Sequence, residues 1–307
     1  MGMAFIVGSR GSPLALAQSR AVIRDLEQAH PGRMFTLREI TTRGDELTHI
    51  PLPHLRGKGI FIKELETALL RGEIDLAVHS LKDVPTQTTP GTTIGAVCPR
   101  EDARDVIVSR GGEALSQLPS GARLGTSSLR RAAQVRAHRP DIDIVDLRGN
   151  IGTRLRKVTE GEMEAAVLAA AGLIRMGWKD RITEYLPPEI CLSPAGQGAL
   201  AIQIRVDDAA VGEMISPLDH EPTRQATTSE RAFLGRLGGG CQTPIGAFGR
   251  VLGSRLRLQG MVASPRGEDL LRDEMDGETA EPEKTGWELA QRLLERGAAA
   301  ILSEASP

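Results

Sequence analysis

The sequence predicts an α/β protein in which two similar sheet domains flank a cleft and a smaller α+β domain follows. Three observations lead there: short apolar runs alternate with helical periodicity up to about Arg205, that pattern partly repeats, and it changes near Glu221.

Phe5-Ile6-Val7 reads as a buried strand, Ser12-Pro13 as an N-cap followed by proline at the first helical position, and Leu14 to Leu26 as the helix they open. Met34 to Ile40 alternates like a strand, Ile60 to Leu70 reads as a helix ended near Gly72, and Ile74 to Val78 as a further strand. A second unit echoes the first. Gly8-Ser9, Ser12, Leu14 and Ala17-Gln18 match Gly125-Thr126, Ser128-Leu129 and Ala133-Gln134 with one residue of slippage, and Gly72 to Val78 matches Gly161 to Val167. The polar stretches Pro99 to Arg104 and Ser193 to Gly198 read as crossovers, after which Ala199 to Arg205 alternates as a strand returning to the first sheet. Such a sheet is expected to be largely parallel, with ligands outside the carboxyl ends of its strands. From Glu221 come one long helix to Leu237, a glycine turn, strands Ala247 to Leu252 and Leu256 to Ala263, an acidic, proline-bearing stretch Asp276 to Pro282, and a helix Lys284 to Glu295.

Lys and Arg number 38 against 40 Asp and Glu, and aromatics make up 3%, so neither a field for nucleic acid or anionic membrane nor a base-stacking platform is expected. Positive charge must act locally. No stretch approaches the roughly 18 apolar residues of a membrane span, the start lacks a signal-peptide pattern, and three distant cysteines suit a reducing cytoplasm. The six histidines are unclustered, so no metal is expected, and no phosphate loop ending in Lys-Ser or Lys-Thr is present.

Three turns carry arginines: Gly8-Ser9-Arg10-Gly11-Ser12, Thr126-Ser127-Ser128-Leu129-Arg130-Arg131 and Leu147-Arg148-Gly149-Asn150. Each follows an apolar run and opens a helical pattern, so guanidinium groups, hydroxyls and helix-start amides face one way, toward a polyanion. Arg130 and Arg131 fall in a first helical turn, where the macrodipole disfavours cations, and a negative partner is therefore expected for them. Arg154 joins Arg10 and Arg148 at the same cleft; Arg136, Arg139 and Arg156 read as solvated or paired with Glu.

Asp83 lies in His79-Ser80-Leu81-Lys82-Asp83-Val84-Pro85 after a strand, where cations would keep it ionised, able to stabilise a developing cation or move a proton. The same residues also suit a surface Lys-Asp pair. Cys241 follows three glycines and is either a small core residue or a point of covalent attachment; no nearby histidine makes a Cys-His pair. Cys98 and Cys191 end apolar runs and read as buried. A carrier of organic anions without chemistry would use the same cleft, and a cysteine-nucleophile hydrolase lacks a base.

Gly8 to Ala15, Gly57-Lys58-Gly59-Ile60-Phe61-Ile62-Lys63-Glu64-Leu65-Glu66, Ala77 to Pro85, Gly125 to Arg131, Leu147 to Asn150, Pro194-Ala195-Gly196-Gln197-Gly198 and Gly239-Gly240-Cys241-Gln242 together resemble the hydroxymethylbilane synthase, or porphobilinogen deaminase, family. They occur in the family's order along nearly the whole chain. The resemblance implies an α/β fold of two periplasmic-binding-protein-like (type II) domains with the active site between them: residues 1–98 with 199–216, residues 104–193, and a C-terminal α+β domain, 221–307, carrying the cofactor cysteine. It implies head-to-tail condensation of four porphobilinogen molecules into linear hydroxymethylbilane with release of ammonia, by a cytoplasmic monomer in tetrapyrrole (haem) biosynthesis, on a dipyrromethane cofactor.

Carried over by residue, the resemblance implies that Cys241 bears the dipyrromethane through a thioether and that Asp83 is the catalytic carboxylate. Lys82, Thr126, Ser127, Ser128, Arg130 and Arg131, with Asp83, would hold the cofactor. Arg10, Ser12, Gln18, Lys58, Phe61, Arg148, Arg154 and Gln197 would hold the substrate or growing chain. Gly196 and Gly198 would supply hinge freedom. The sequence departs from the family at His54, where a lysine is common, and Arg56 or Lys58 would substitute.

Overall fold

The computed structural model describes residues 4–42, 62–240 and 243–304; His54, Arg56, Lys58, Phe61 and Cys241 lie outside them. The chain divides into two compact units, 1–101 with 199–224 and 102–198 with 225–307.

The first unit holds a five-stranded sheet in the order Phe35–Ile40, Phe5–Arg10, Leu76–Ser80, Leu200–Arg205, Thr92–Val97. The first three strands are parallel, and Leu200–Arg205 runs antiparallel to both its neighbours. That strand is the returning segment expected after the second crossover. Its apolar face joins Val7, Leu76, Val78, Val22 and Leu26 in the core. Helix Pro13–Ala29 starts as its sequence dictates, with the Ser12 hydroxyl accepting the Ala15 N–H and proline in the first turn.

The second unit repeats this sheet in the order Asp143–Val145, Arg123–Gly125, Ala165–Ala169, Asp105–Ser109, Glu184–Tyr185. Here too the strand next to the parallel set, Asp105–Ser109, is antiparallel. Largely parallel is therefore right, with one reversed strand per sheet supplied by the segment just after a crossover.

The sequence repeat corresponds to a structural one. Gly72 and Gly161 both have positive φ, 67° and 84°, one residue past a helix C-cap. Glu73 N–H reaches Ala68 O and Gly72 N–H reaches Leu69 O; Glu162 and Gly161 do the same to Lys157 and Val158. These are Schellman caps, which end a helix and aim the next strand. Beyond them, the carboxylates of Asp75 and Glu164 accept the N–H of Ile6 and Arg123 at matching positions, both at 2.7 Å.

The second unit also contains the smaller α+β domain, an antiparallel sheet of Ile245–Leu252, Arg255–Ala263 and Leu270–Glu278. Phe233 from helix Glu221–Arg236 and Leu289 and Leu293 from helix Pro282–Glu295 pack with Ala247, Leu258 and Val262. Strand Leu270–Glu278 and the short helix Ala298–Ser303 correct the sequence reading, which had an acidic stretch across the end of the strand. The fold is thus two α/β sheets of matching strand order, one in each unit, with a smaller C-terminal α+β domain in the second.

Candidate active site

In the first unit the carboxyl end of Leu76–Ser80 runs into one turn of 3-10 helix, Leu81–Asp83. Leu81 and Val84, three apart and so on one side of such a turn, are buried with Ile62, Val97, Ala199 and Ala201. Lys82 and Asp83 between them are half-buried. Leu81 N–H donates to Ala199 O at 3.0 Å and Val84 N–H to Leu81 O at 3.1 Å, so the backbone carrying Asp83 is tied to the core.

Arg10 ends the adjacent strand and is half-buried, as is Ser12, whose hydroxyl is used as the helix cap. Gln18, six residues on, is buried with its amide against the Ser80 hydroxyl at 3.0 Å. His79 belongs to the strand itself and is buried. Gln203 donates its amide to Glu66 and Thr92, both at 2.8 Å, so its carbonyl oxygen must accept, and His79 Nε2, 3.0 Å away, is the donor. Burial lowers the His79 pKa to about 4, against the smaller upward effects of Gln203 and Asp83; Arg10 adds to the lowering.

In the second unit, Ser128 caps helix Leu129–His138 by accepting the Arg131 N–H, and Asn150 caps helix Ile151–Thr159 by accepting the Thr153 N–H. Thr126 is buried and accepts the Ser128 N–H at 3.2 Å. The Ser127 hydroxyl meets the Asp146 carboxylate and Leu147 O and accepts the Leu147 N–H at 3.1 Å. Arg148 and Arg154 are half-buried, with Arg154 Nε on Gly149 O at 2.8 Å.

Arg130 and Arg131 find their negative partner inside the protein. Both are buried against Asp105, which is 0% exposed; Arg130 Nη1 is 2.7 Å from Oδ2 and Arg131 Nη2 is 2.7 Å from Oδ1. Burial alone would raise the Asp105 pKa, but the two guanidinium groups hold it far below the carboxylate range. The expectation of a counter-charge is met by the chain's own strand, before any ligand arrives. Gln197 is 0% exposed and donates its amide to Ala103 O at 2.7 Å and to Asp105 Oδ1 at 2.9 Å.

Asp105 escaped the sequence reading because it opens an apolar strand, Asp105-Val106-Ile107-Val108. The signal was present: two cations in a helix's first turn imply an anion, and an acid at the head of a buried strand is a candidate. Arg175, which donates to Gly198 O at 2.7 Å, was missed too. Arg136, half-buried, donates to Pro265 O at 3.2 Å, Arg139 pairs with Asp141, and Arg156 pairs with Glu160 as expected.

Cys98 and Cys191 are reduced and buried. Burial, reinforced by Asp105, pushes the Cys191 thiol up to about 12 despite the two arginines. Around Cys241 the flanking residues are described. Gly238 has φ 69°, a β-carbon on Gly239 would lie 2.5 Å from Leu234, and Gly240 N–H bonds the Thr243 hydroxyl at 3.0 Å. Gly196 and Gly198 in the second crossover have φ of 74° and 88°, and the Gly196 N–H donates to the buried Glu230 at 2.7 Å.

Two family models match the chain: the porphobilinogen deaminase, dipyromethane cofactor binding domain over residues 5–213, and the porphobilinogen deaminase C-terminal domain over residues 225–295. Among curated relatives, the porphobilinogen deaminase of Desulforudis audaxviator is 52% identical over 97% of this chain and 96% of its own length. Those of Pelotomaculum thermopropionicum and Moorella thermoacetica are 50% and 51% identical, over 97% of this chain and 96% and 95% of theirs. Matched end to end by these relatives and carrying the arginine turns and Asp83 at the carboxyl edges of its sheets, the chain belongs to the porphobilinogen deaminase family.

Proposed function

We propose that the protein is a hydroxymethylbilane synthase, condensing four porphobilinogen molecules head to tail with release of ammonia, and that Asp83 is its catalytic carboxylate. The observation that carries the residue assignment is the placement of Asp83: half-buried, on a one-turn helix anchored by Leu81 and Val84, at the carboxyl end of a parallel strand. An acid fixed there can stabilise positive charge that develops as an amine leaves, and can take the proton that the new carbon–carbon bond displaces.

A dipyrromethane bears acetate and propionate groups, and the cations and helix-start donors of the second unit suit them. Ser128 and the N-terminus of Leu129–His138, together with half-buried Arg148 and Arg154, offer such groups at one sheet edge. We assign Cys241 as the thioether attachment. When bound, the group supplies the pyrrole carbon from which the chain is extended. Lys82, Thr126, Ser127, Arg130 and Arg131 contribute to holding it, while Arg10, Ser12, Gln18, Lys58, Phe61, Arg148 and Arg154 serve substrate and product. Gln197 acts through Asp105. The working division is three domains, in a cytoplasmic monomer that needs neither nucleic acid nor membrane; no described helix is long and apolar enough to cross a membrane.

The test is the intact mass of the denatured protein with peptide mapping around Cys241. Two linked porphobilinogen-derived rings on that residue are expected, and Cys241→Ser should carry none. Asp83→Ala should fold yet lose turnover by several orders of magnitude; retained turnover in the purified variant would remove Asp83 from its role.

A further inference from the structure

We propose that Asp105 is a positioning residue for this reaction, its buried carboxylate fixing the Arg130 and Arg131 guanidinium groups for the carboxylates of the dipyrromethane. The inference rests on the proposed function above. Four side chains converge on Asp105: Arg130 Nη1 and Cys191 Sγ on Oδ2, at 2.7 and 3.3 Å, and Arg131 and Gln197 on Oδ1, at 2.7 and 2.9 Å. Both oxygens are therefore saturated. Arg131 Nη1 is further held by Val167 O at 3.0 Å and Arg130 Nη1 by Leu192 O at 2.6 Å.

Arg130 makes all these contacts through Nη1. Its Nε and Nη2 engage none of the described residues, and neither is among the fully sealed polar atoms that lack a partner. One edge of the guanidinium is thus gripped from inside while the other is left to an outside acceptor. Two cations on one anion leave a net positive charge, so the group still attracts a carboxylate after Asp105 is counted.

The internal repeat shows that the fold itself does not require this triad. Ser12 and Ser128 cap equivalent helices, which places Leu14 and Ala15 where the second unit has Arg130 and Arg131. Leu200 pairs with Ser80 as Asp105 pairs with Ala169, at the same corner of each sheet. At the equivalent positions the first unit has half-buried Leu14 and Ala15 and buried Leu200, where the second has two buried arginines and a buried aspartate. Buried ion clusters are often replaced by apolar residues without loss of stability, so charge retained at this corner points to ligand binding.

The test is Asp105→Asn, with apo-protein incubated with porphobilinogen and the mass of the denatured chain followed in time. A folded variant is expected to load its cofactor at least tenfold more slowly and, once loaded, to show KM for porphobilinogen raised more than kcat is lowered. Loading at the wild-type rate with KM within twofold would overturn the proposal. Should Asp105→Asn fail to fold, Gln197→Met removes a single donor to Oδ1 and decides the matter: severalfold slower loading supports the role and unchanged loading refutes it. The proposed function fails separately, if wild-type protein never acquires the adduct and Cys241→Ser still turns over.

Discussion

Two buried polar residues, His79 and Asp105, show how much the surroundings of a side chain decide what its chemistry becomes. His79 has Gln203 at Nε2, Asp83 and Arg10 in its field, and Glu66 beyond Gln203, yet burial dominates and its pKa falls to about 4. The unfolded chain takes up this proton near pH 6.5 and the folded chain does not, so stability should fall as pH drops from 6.5 toward 4. The full effect is about 3 kcal/mol. Urea midpoints measured across that range should show the loss in wild-type protein and a flatter profile in His79→Gln; an unchanged slope in the variant would assign the titration elsewhere. The Cys191 thiol, at about 12, has the opposite sense: its contribution is intact below pH 9 and is lost as pH rises toward 12. Cys191 should accordingly resist alkylation at pH 8 in the native protein, and Cys98 should resist it because it is buried; both should react on denaturation, as peptide mapping would report.

At the level of elements, the ends of helices were the most legible part of the chain because their code is local. Ser12-Pro13 opens a helix and Gly72 ends one as the sequence predicts, and Ser128 and Gly161 do the same at the matching positions of the second unit. Ser128→Ala should cost about 1 kcal/mol. Gly161→Ala should cost at least as much, because φ is 84° there and the Arg110 guanidinium would lie 2.5 Å from the new carbon. Thermal melts test both, and a neutral Gly161→Ala would contradict the Schellman geometry. Strand Leu270–Glu278 was illegible for the complementary reason. Arg272, Asp273, Glu274 and Asp276 leave it without clear apolar alternation, and its structure comes from pairing with Arg255–Ala263, where Arg257 meets Asp276 at 2.8 Å. The candidate site divides the same way. Strand-end turns announced Arg10, Asp83 and Arg148, whereas the convergence of Arg130, Arg131 and Gln197 on Asp105 joins segments far apart in sequence. Spacing carries no trace of it.

On the largest scale the second unit binds its sheet and the C-terminal domain together through polar groups as well as through the apolar contact of Ala133 and Leu192 with Met261 and Ala263. Arg272 donates to Pro188 O at 2.9 Å and to Gln134 Oε1 at 2.7 Å, and that same Gln134 oxygen accepts the Leu192 N–H. Glu230, fully buried, accepts the N–H of Gly196 in the crossover and of Gly249 in the C-terminal sheet, both at 2.7 Å. Because these bonds link the arginine helix, the crossover and the C-terminal domain, the second unit is expected to unfold as one body. Glu230→Gln would place an amide donor against one of two buried backbone donors and should cost about 2 kcal/mol, since a buried donor left without its acceptor loses its full desolvation penalty. Hydrogen exchange distinguishes a shared loss from a local one. Protection should fall in step in strands Ala165–Ala169 and Arg255–Ala263, because opening either exposes the other; a loss confined to Arg255–Ala263 would mean that the C-terminal domain unfolds on its own and that Glu230 serves only its own sheet.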